Sequence, residues 1–447
     1  MLKYIWHFTH LFVSLNLVFR YSRSEMLKYI WHFTHLFVSL HDFIVYMRVR
    51  YIYMRVCTLL CLCGLFVTAQ AQRDSIVASL LTCSPGTQVY SLYGHTGLRM
   101  RNVTQGTDYV FNYGVFDFRR PHFAWHFTLG ECDYQVVGVP YGYFIDDYVR
   151  RGSRVTEQEL ALNGEEAYRL MAALVVNCLP ENRTYRYNFL TNNCTTRVRD
   201  QIETAVDGDV VYVEAEDHPT FRQLLHHYTE GYDWAETGND LLLGASSDRV
   251  TSDRQAQFLP EQLMNYMETA QVYDSLNNRH PLLRESRILV EGHPQTHEEP
   301  FPLTPFQVGL AFVALMMAIA LIERWAGHMC WLVDMLLMTL QGLAGILVCL
   351  MFFFSAHPTV DTNWHVWLLN PLPLLCMPWV VRRATQHRVC VYHYLNLLVL
   401  TLFLVFIPWI PQSFPVLTPC LALGLLTRPV SYYLHYRDGV VTELDRR

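Results

Sequence analysis

The chain has 447 residues, enough for more than one domain, and its formal net charge of −6 does not indicate nucleic-acid binding. Hydrophobic residues make up 51% of the chain and are concentrated in particular segments rather than spread evenly. Most of the 12 cysteines lie in those apolar segments, which excludes a disulfide framework and leaves four in a more polar region: Cys83, Cys132, Cys178 and Cys194.

The N-terminal residues contain an exact repeat. The string MLKYIWHFTHLFVSL occupies residues 1–15 and recurs unchanged at residues 26–40, which indicates a duplication of DNA rather than a structural repeat. We therefore predict that residues 1–53 lie upstream of the true start. Residues 54–71 have the basic start, the short apolar stretch and the Ala-Gln-Ala cleavage site of a signal peptide. An uncleaved anchor is the alternative, and in either case the domain that follows is exported.

Residues 72–300 have the charge content of a soluble domain and predict an α+β fold with an antiparallel sheet. Strand-forming residues alternate in four segments, and the first two of these are spaced as a hairpin. The predicted strands lie at residues 89–101, 109–118, 133–139 and 184–190. Two helices are predicted at residues 163–177 and 194–206, the first of them with Asn163 as its N-cap.

Residues 301–447 predict an all-α membrane domain of about five helices, since spanning a bilayer takes ~20 mostly apolar residues. The predicted spans are residues 305–322, 331–354, 364–381, 390–410 and 414–436. The last is the least apolar because it contains Arg428 and Pro429. Polar residues inside the spans, such as Asp334 and Gln341, predict hydrogen bonds between helices.

The arginines of this half predict its orientation. Every second connection lacks Lys and Arg, as residues 355–363 and 411–413 show. The arginines instead follow the first, third and fifth spans: Arg324, Arg382, Arg383, Arg388, Arg437, Arg446 and Arg447. Because positive loops stay in the cytoplasm, the domain before the first span is predicted to lie outside it.

Cys194 is the candidate nucleophile of the exported domain. It lies where a predicted strand ends and a helix begins, and unpaired N–H groups at a helix start lower the pKa of a thiol. Asn193 and Thr195 beside it, with backbone N–H groups of the same turn, are candidates for stabilising an oxyanion. Arg197 adds positive charge within one turn. A buried structural cysteine is the alternative.

His95 is the candidate base, because it lies in a predicted strand between Gly94 and Gly97, which would leave room for a substrate. Asn112 or Asp117, on the neighbouring strand, would orient its ring, and the sequence does not choose between them. Five other histidines are candidates for the same role: His122, His126, His218, His226 and His227. The chain lacks CxxC and HExxH spacings, so no metal and no cofactor is predicted.

Five strings carry a resemblance to a known family, in this order: YGHTGLRM, YVFNYGVFDF, YRYNFLTNNCTTRVRD, WAETGNDLLLGASSD and QFLPEQL. With the apolar C-terminal half, they resemble the Lnb family of lipoprotein N-acyltransferases from Bacteroidota-type bacteria, over roughly residues 74–285. A histidine strand that precedes a cysteine helix is similar to permuted papain-like domains, both NlpC-type and lecithin:retinol acyltransferase-type. The resemblance implies that Cys194 is the nucleophile and His95 the base.

The resemblance also implies the substrates and the location. An acyl chain would pass from a membrane phospholipid, through a Cys194 thioester, to the α-amine of a diacylated lipoprotein. The protein would be a multi-pass protein of the bacterial inner membrane, with its catalytic domain on the periplasmic side. The segment 234–248 has no chemistry that its residues reveal, and its glycines suggest a tight loop or lid.

Two other functions are compatible with the same residues. A periplasmic cysteine peptidase or amidase that acts on cell-wall peptides would use the same pair, although a soluble substrate does not need five spans. A non-enzymatic membrane scaffold would use Cys194 only as a structural residue.

The arginine pattern gives a testable topology. A reporter that is active only outside the cytoplasm should work when it is fused at Thr359, because the loop 355–363, which contains Thr359, lacks positive charge. The same reporter should fail at Thr385, beside the arginine-rich connection. Activity at Thr385 together with silence at Thr359 would reverse the orientation.

Overall fold

The computed structural model describes residues 75–444, apart from 89–90, 118, 120, 275–277, 294–300 and 389. The predicted upstream extension and signal peptide, residues 1–53 and 54–71, lie outside the described residues. We refer to residues 75–293 as the α+β domain and to residues 301–444 as the membrane bundle.

The α+β domain contains strands β1 to β10 and helices α1 to α8. The strands are β1 Ile76–Cys83, β2 His95–Asn102, β3 Thr107–Val115, β4 Asp133–Pro140, β5 Val155–Leu160, β6 Thr184–Arg186, β7 Asp209–Val211, β8 Gln271–Tyr273, β9 Arg279–Pro281 and β10 Leu283–Val290. The helices are α1 Phe123–Thr128, α2 Tyr141–Arg151, α3 Gly164–Asn177, α4 Cys194–Ala205, α5 Phe221–Thr229, α6 Asp233–Leu242, α7 Asp253–Ala256 and α8 Pro260–Thr269.

Seven of these strands form one antiparallel sheet in the order β10-β5-β1-β2-β3-β4-β6, and β7-β8-β9 form a second, small sheet. Helices cover both faces of the large sheet. On one face, Leu98 and Met100 are buried against α3 and α4, where Val198 meets them. On the other face, Val110 is buried against Phe144 of α2. The predicted α+β fold with an antiparallel sheet is therefore confirmed.

Local sequence signals fixed most of these elements. Asn163 caps α3 and forms a capping box with Glu166, as the sequence predicts, and β2 and β3 form the expected hairpin. The first predicted strand, 89–101, begins later than expected. Gly94 has φ +73°, and a Cβ there would lie 2.6 Å from the carbonyl oxygen of Cys83, so the regular strand starts only at His95.

The membrane bundle contains α9 Pro305–Ala326, α10 Trp331–Phe354, α11 Leu372–Thr385, α12 Val391–Phe406 and α13 Leu417–Leu444. Four segments are long and apolar enough to cross a membrane: Pro305–Ala326, Trp331–Phe354, Trp364–Thr385 and Val391–Trp409. The fifth predicted span also forms a helix, α13, but Arg428 and Pro429 lower its hydropathy. The third is not one continuous helix, because a short turn at Trp364–Trp367 precedes Pro371 and α11.

Buried polar groups hold the bundle together. The Arg428 guanidinium donates to Glu323 at 2.7 Å and to Asp334 at 2.8 Å, which ties α13 to α9 and α10. Gln341 donates its amide to the carbonyl oxygen of Leu368 at 2.8 Å. Both arrangements satisfy polar groups that would otherwise face hydrocarbon, as expected for interhelical hydrogen bonds.

The sequence suggests a tight loop or lid at 234–248, but most of this segment is helical, in α6 and in a short 3-10 helix at Ala245–Asp248. The segment attaches the α+β domain to the bundle. The side-chain amide of Asn363 donates to the carbonyl oxygen of Leu241 at 2.8 Å, and that of Gln412 donates to Leu243 at 3.2 Å. A Cβ on Gly244 would collide with the backbone of a bundle loop. We call residues 241–248, together with the bundle loops 359–363 and 411–413, the joint.

The buried side chain of Arg222, on α5, binds several side chains of this segment. Only 2% of Arg222 is exposed, and its guanidinium donates to Asp240 at 2.6 Å and to Asp248 at 2.9 Å. It also donates to the hydroxyl of Ser247 at 3.1 Å. Because one buried cation binds both ends of the turn, the carbonyls that face the bundle loops are held in place.

We expect Arg222→Met to destabilise the protein by about 3–5 kcal/mol, because Asp240 and Asp248 would lose their partner in a buried setting. Thermal unfolding of the detergent-solubilised protein should occur several degrees lower. The matched control is Arg119→Met, since the Arg119 side chain is 95% exposed and its ion pair is worth little. Equal melting temperatures for the two variants would show that Arg222 does not hold the segment.

Candidate active site

Cys194 is the first residue of α4, and the side chain before it fixes that position. Asn193 is 3% exposed, and its Oδ1 accepts hydrogen bonds from the N–H groups of Thr195 and Thr196, both at 2.9 Å. The hydroxyl of Thr196 accepts from the N–H of Asn193 in return, which completes a capping box. The Asn193 amide also donates to the carbonyl oxygen of Phe258 at 2.8 Å. These hydrogen bonds stabilise the first turn of α4 against fraying, and they therefore fix the position of the thiol.

His95 opens β2 and faces Cys194. Its Nε2 lies 2.6 Å from Oδ1 of Asn112, a residue of the adjacent strand β3. Since Asn112 occupies that nitrogen, Nδ1 is the one left to face the thiol, and the ring lowers the pKa of Cys194 by its charge and hydrogen bonding. The structure thus brings Cys194, His95 and Asn112 together, in the arrangement expected of a nucleophile, its base and the group that orients the base.

Gly114 opens the space between thiol and imidazole, and sequence reasoning missed it. The register of β3 against β4 is irregular between Asn112 and Val115, and Gly114 has φ +92° in this irregularity. A Cβ on Gly114 would lie 3.6 Å from the Cβ of Cys194 and 3.9 Å from Cε1 of His95. A glycine inside a predicted strand is the one signal that could have found it.

The two glycines that flank His95 have a different role from the one expected. A Cβ on Gly94 would approach the Cys83 carbonyl oxygen, and one on Gly97 would lie 2.9 Å from Cγ1 of Val110. They permit close packing of the sheet, and they do not line the opening to the imidazole.

Burial by itself raises the pKa of the Cys194 thiol, but the charge and hydrogen bond of His95 outweigh burial and hold the pKa at about 7. The N–H of Thr96 and the hydroxyl of Thr195 also lower it. Burial lowers the pKa of His95, yet the thiolate and the hydrogen bonds from Cys194 and Asn112 raise it overall. The pair therefore favours thiolate and imidazolium together near neutral pH.

The other residues predicted for the site lie near it in different settings. Asp117 is 67% exposed on its side chain and binds Arg119. Arg197 donates to Asn192 at 2.7 Å, and its guanidinium lies 4.3 Å from the centre of the Tyr185 ring.

The first turn of α4 leaves one amide for an oxyanion. The hydroxyl of Thr195 lies 3.0 Å from that of Thr96, and its N–H is bound by Asn193. Within the described part of the chain, the N–H of Cys194 has no acceptor. The oxyanion donor that this turn can offer is therefore the amide of Cys194 itself.

One group of metal-ligating side chains occurs among the described residues, away from Cys194. His226, Glu236 and Asp240 lie within 4.8 Å of one another. Asp240 already binds Arg222 and His226, and Glu236 accepts a hydrogen bond from Thr229. These three residues therefore belong to the same set of ion pairs and hydrogen bonds as Arg222, next to the joint. Of the other histidines considered as bases, His126 pairs with Glu131 at 3.1 Å.

The shifted pKa of Cys194 can be measured by alkylation. Because only the thiolate reacts, the iodoacetamide rate at the Cys194 peptide should rise with pH through a midpoint near 7. His95→Ala removes the charge that offsets burial, so the midpoint should move above the ordinary value of 9.0. Mass spectrometry of the peptide gives the rate, and the buried Cys83 thiol should stay unlabelled.

The same measurement decides between the two orienters. Asn112→Ala removes a hydrogen bond that raises the pKa of His95, so the Cys194 midpoint should move upward by less than in His95→Ala. Asp117→Ala should leave it unmoved, since Asp117 is exposed and bound to Arg119. A shift in Asp117→Ala with none in Asn112→Ala would reverse the assignment.

Two family models match separate parts of the chain. The family model described as the Lnb N-terminal periplasmic domain matches residues 66–227, which include Cys194, His95 and Asn112. The model described as the Lnb transmembrane domain matches residues 296–438, which include the four candidate spans. A search of curated proteins and a search of solved structures each found no match.

Proposed function

Because this chain belongs to the Lnb family, we propose that it is a lipoprotein N-acyltransferase whose nucleophile is Cys194. The observation that carries the proposal is that Cys194, at the start of α4, and the His95 ring both lie beside Gly114, with Asn112 bonded to the ring. This pair lies in a domain that is bonded to membrane-spanning helices. A nucleophile held next to a membrane suits substrates that cannot leave it.

In the first half-reaction, the Cys194 thiolate attacks the ester carbonyl carbon of a phospholipid, and a tetrahedral oxyanion forms. The N–H of Cys194 donates to that oxyanion. The carbon–oxygen bond of the ester then breaks, and the departing alkoxide takes a proton from the His95 imidazolium. The products are a thioester on Cys194 and a lysophospholipid.

In the second half-reaction, the neutral α-amine of a diacylglyceryl-cysteine lipoprotein attacks the thioester carbonyl. The now neutral His95 takes the proton that the amine gives up, and the carbon–sulfur bond breaks. The thiolate and imidazolium are restored, and the lipoprotein carries a third acyl chain on an amide. Asn112 keeps the ring in the orientation that both proton transfers need.

The proposal includes the location, a bacterial inner membrane with the α+β domain on its periplasmic side. The arginine-free loops on the side of the joint support that orientation. A cell-wall peptidase would use the same thiol and imidazole, but its soluble substrate gives no reason for a domain fixed to the membrane by the joint.

The test is a thioester trap with purified enzyme and a labelled phospholipid, without lipoprotein. The peptide that contains Cys194 should carry label that neutral hydroxylamine removes. Cys194→Ala should carry none, and His95→Ala should be slower by ~10²–10⁴-fold because the proton donor to the departing alkoxide is lost. Mass spectrometry of lipoproteins from cells with each variant reports whether the N-acyl group forms.

The matched control is Cys178→Ala, which removes another partly buried thiol of the same domain, at the C-cap of α3. It should trap label as the wild type does. If Cys194→Ala still N-acylates lipoproteins at the wild-type rate, the covalent mechanism is wrong. Release of label by a cell-wall peptide instead of a lipoprotein would favour the amidase.

A further inference from the structure

A continuous row of aromatic rings runs through the α+β domain from the region of Cys194 to α1. The ring of Tyr187 stacks on Tyr134 with 4.1 Å between centroids, and Tyr134 stacks on Phe116 at 4.6 Å. Phe116 then faces Phe123 at 6.3 Å, and Phe123 faces Phe127 at 6.0 Å. We call these five residues the aromatic row.

The strand that leads to Phe116 of the aromatic row also passes the thiol. Phe116 follows Gly114 by two residues, and Gly114 is the position whose Cβ would lie 3.6 Å from the Cβ of Cys194. After burial, the charge of the Cys194 thiolate is the largest cause that raises the pKa of Tyr187. The row therefore begins within electrostatic reach of the nucleophile.

The outer end of the aromatic row is at the end of a membrane-spanning helix. The ring of His357 lies 5.2 Å from that of Phe127, and its Nε2 donates to the Phe127 carbonyl oxygen at 2.6 Å. His357 comes three residues after the last residue of α10, Phe354, which is itself exposed. An exposed aromatic cluster at the end of a span marks the membrane–water interface.

The short helix α1 presents apolar side chains at this interface. None of its residues is buried, and Trp125 and Phe127 are 51% and 45% exposed. In water these side chains would be left solvated, whereas at an interface they are favourable. Because α1 contacts the end of α10, these exposed side chains lie at the level of the membrane surface.

A groove of about 490 Å³ follows the row, and both aromatic and charged side chains line it. Its aromatic lining is Phe116, Phe123 and Tyr134. Its charged groups are already paired, Glu131 with His126, Asp133 with Arg186 and Asp117 with Arg119. A lining of aromatic rings and neutralised charges suits an amphiphile, and the size of the groove is in the range of small-molecule sites.

We propose that this groove receives the acyl chain of the donor phospholipid from the leaflet beside α1 and leads its ester to Cys194. The inference rests on the proposed function and adds the route by which the lipid leaves the bilayer. Aromatic faces bind methylene groups without directional bonds, which a chain sliding along the groove requires. A peptide segment would instead need hydrogen-bond partners for its backbone N–H and C=O groups, which the aromatic lining of the groove does not offer.

The first test compares two acyl donors for Cys194. The membrane donor is phosphatidylethanolamine in vesicles, and the soluble donor is p-nitrophenyl butyrate, whose short chain needs no route from the bilayer. In the double variant Trp125→Ser/Phe127→Ser, the ratio of membrane to soluble acylation rate should fall about tenfold or more, because burying one aromatic side chain is worth at least that factor. The control Tyr168→Ser, on α3 and 65% exposed, should keep the wild-type ratio.

The outcomes separate this inference from the proposed function. If wild-type Cys194 is acylated by butyrate and never by the phospholipid, the proposed acyl donor is wrong. If the wild type uses the phospholipid and the double variant keeps the wild-type ratio, the groove is wrong while the proposed function stands.

A second test locates the chain directly and does not depend on turnover. Phosphatidylethanolamine with a diazirine in its acyl chain should crosslink Cys194→Ala within residues 116–135, and Phe123→Ser should reduce this label. Label confined to the bundle, such as the cavity of about 750 Å³ that α9 and α13 line, would overturn the groove as the lipid site.

Discussion

The position of the nucleophile depends on the hydrogen bonds of one buried amide, the side chain of Asn193. Its oxygen binds two N–H groups of the first turn of α4, and its nitrogen donates to the carbonyls of Phe189 and Phe258. A helix cap alone is worth about 0.5–2 kcal/mol, and orphaning two buried carbonyls adds about 1–3 kcal/mol each. The larger consequence is geometric, because a shift of one residue in the helix start would turn Cys194 away from His95.

The net charge of the site depends on whether an amide or a carboxylate orients the His95 ring. A carboxylate bonded to His95 would add a negative charge beside the thiolate, whereas the amide of Asn112 orients the ring and adds none. The pair of thiolate and imidazolium is then neutral as a whole, which is the form in which two charges tolerate partial burial. In the proposed reaction, the same ring would donate a proton to the lysophospholipid and recover one from the amine, so its pKa would have to stay near the working pH.

Elements with local sequence signals were predictable, and contacts between distant residues were not. The N-caps Asn163 and Asn193 and the β2–β3 hairpin follow from neighbouring residues, because capping and turn formation act over three or four positions. Whether Asn112 or Asp117 reaches His95 depends on the irregular register at Gly114, which sets the direction in which the side chains of β3 point. The role of 234–248 depends on Asn363, more than one hundred residues away, so no spacing within the segment reveals it.

Contacts at separate segments of the bundle orient the α+β domain relative to it. Asn363 and Gln412 bind the carbonyls of the joint, His357 binds the end of α1 at Phe127, and the Trp234 indole donates to the carbonyl oxygen of Leu303. A single contact would leave the domain free to rotate, but contacts at separate segments remove that rotation. Diffusion in a membrane brings lipid substrates to a fixed height and orientation. In the proposed reaction, a nucleophile that is itself fixed in height and orientation would meet their ester and amine groups without a search. Restricting that search lowers the entropic cost of reaching the reactive geometry.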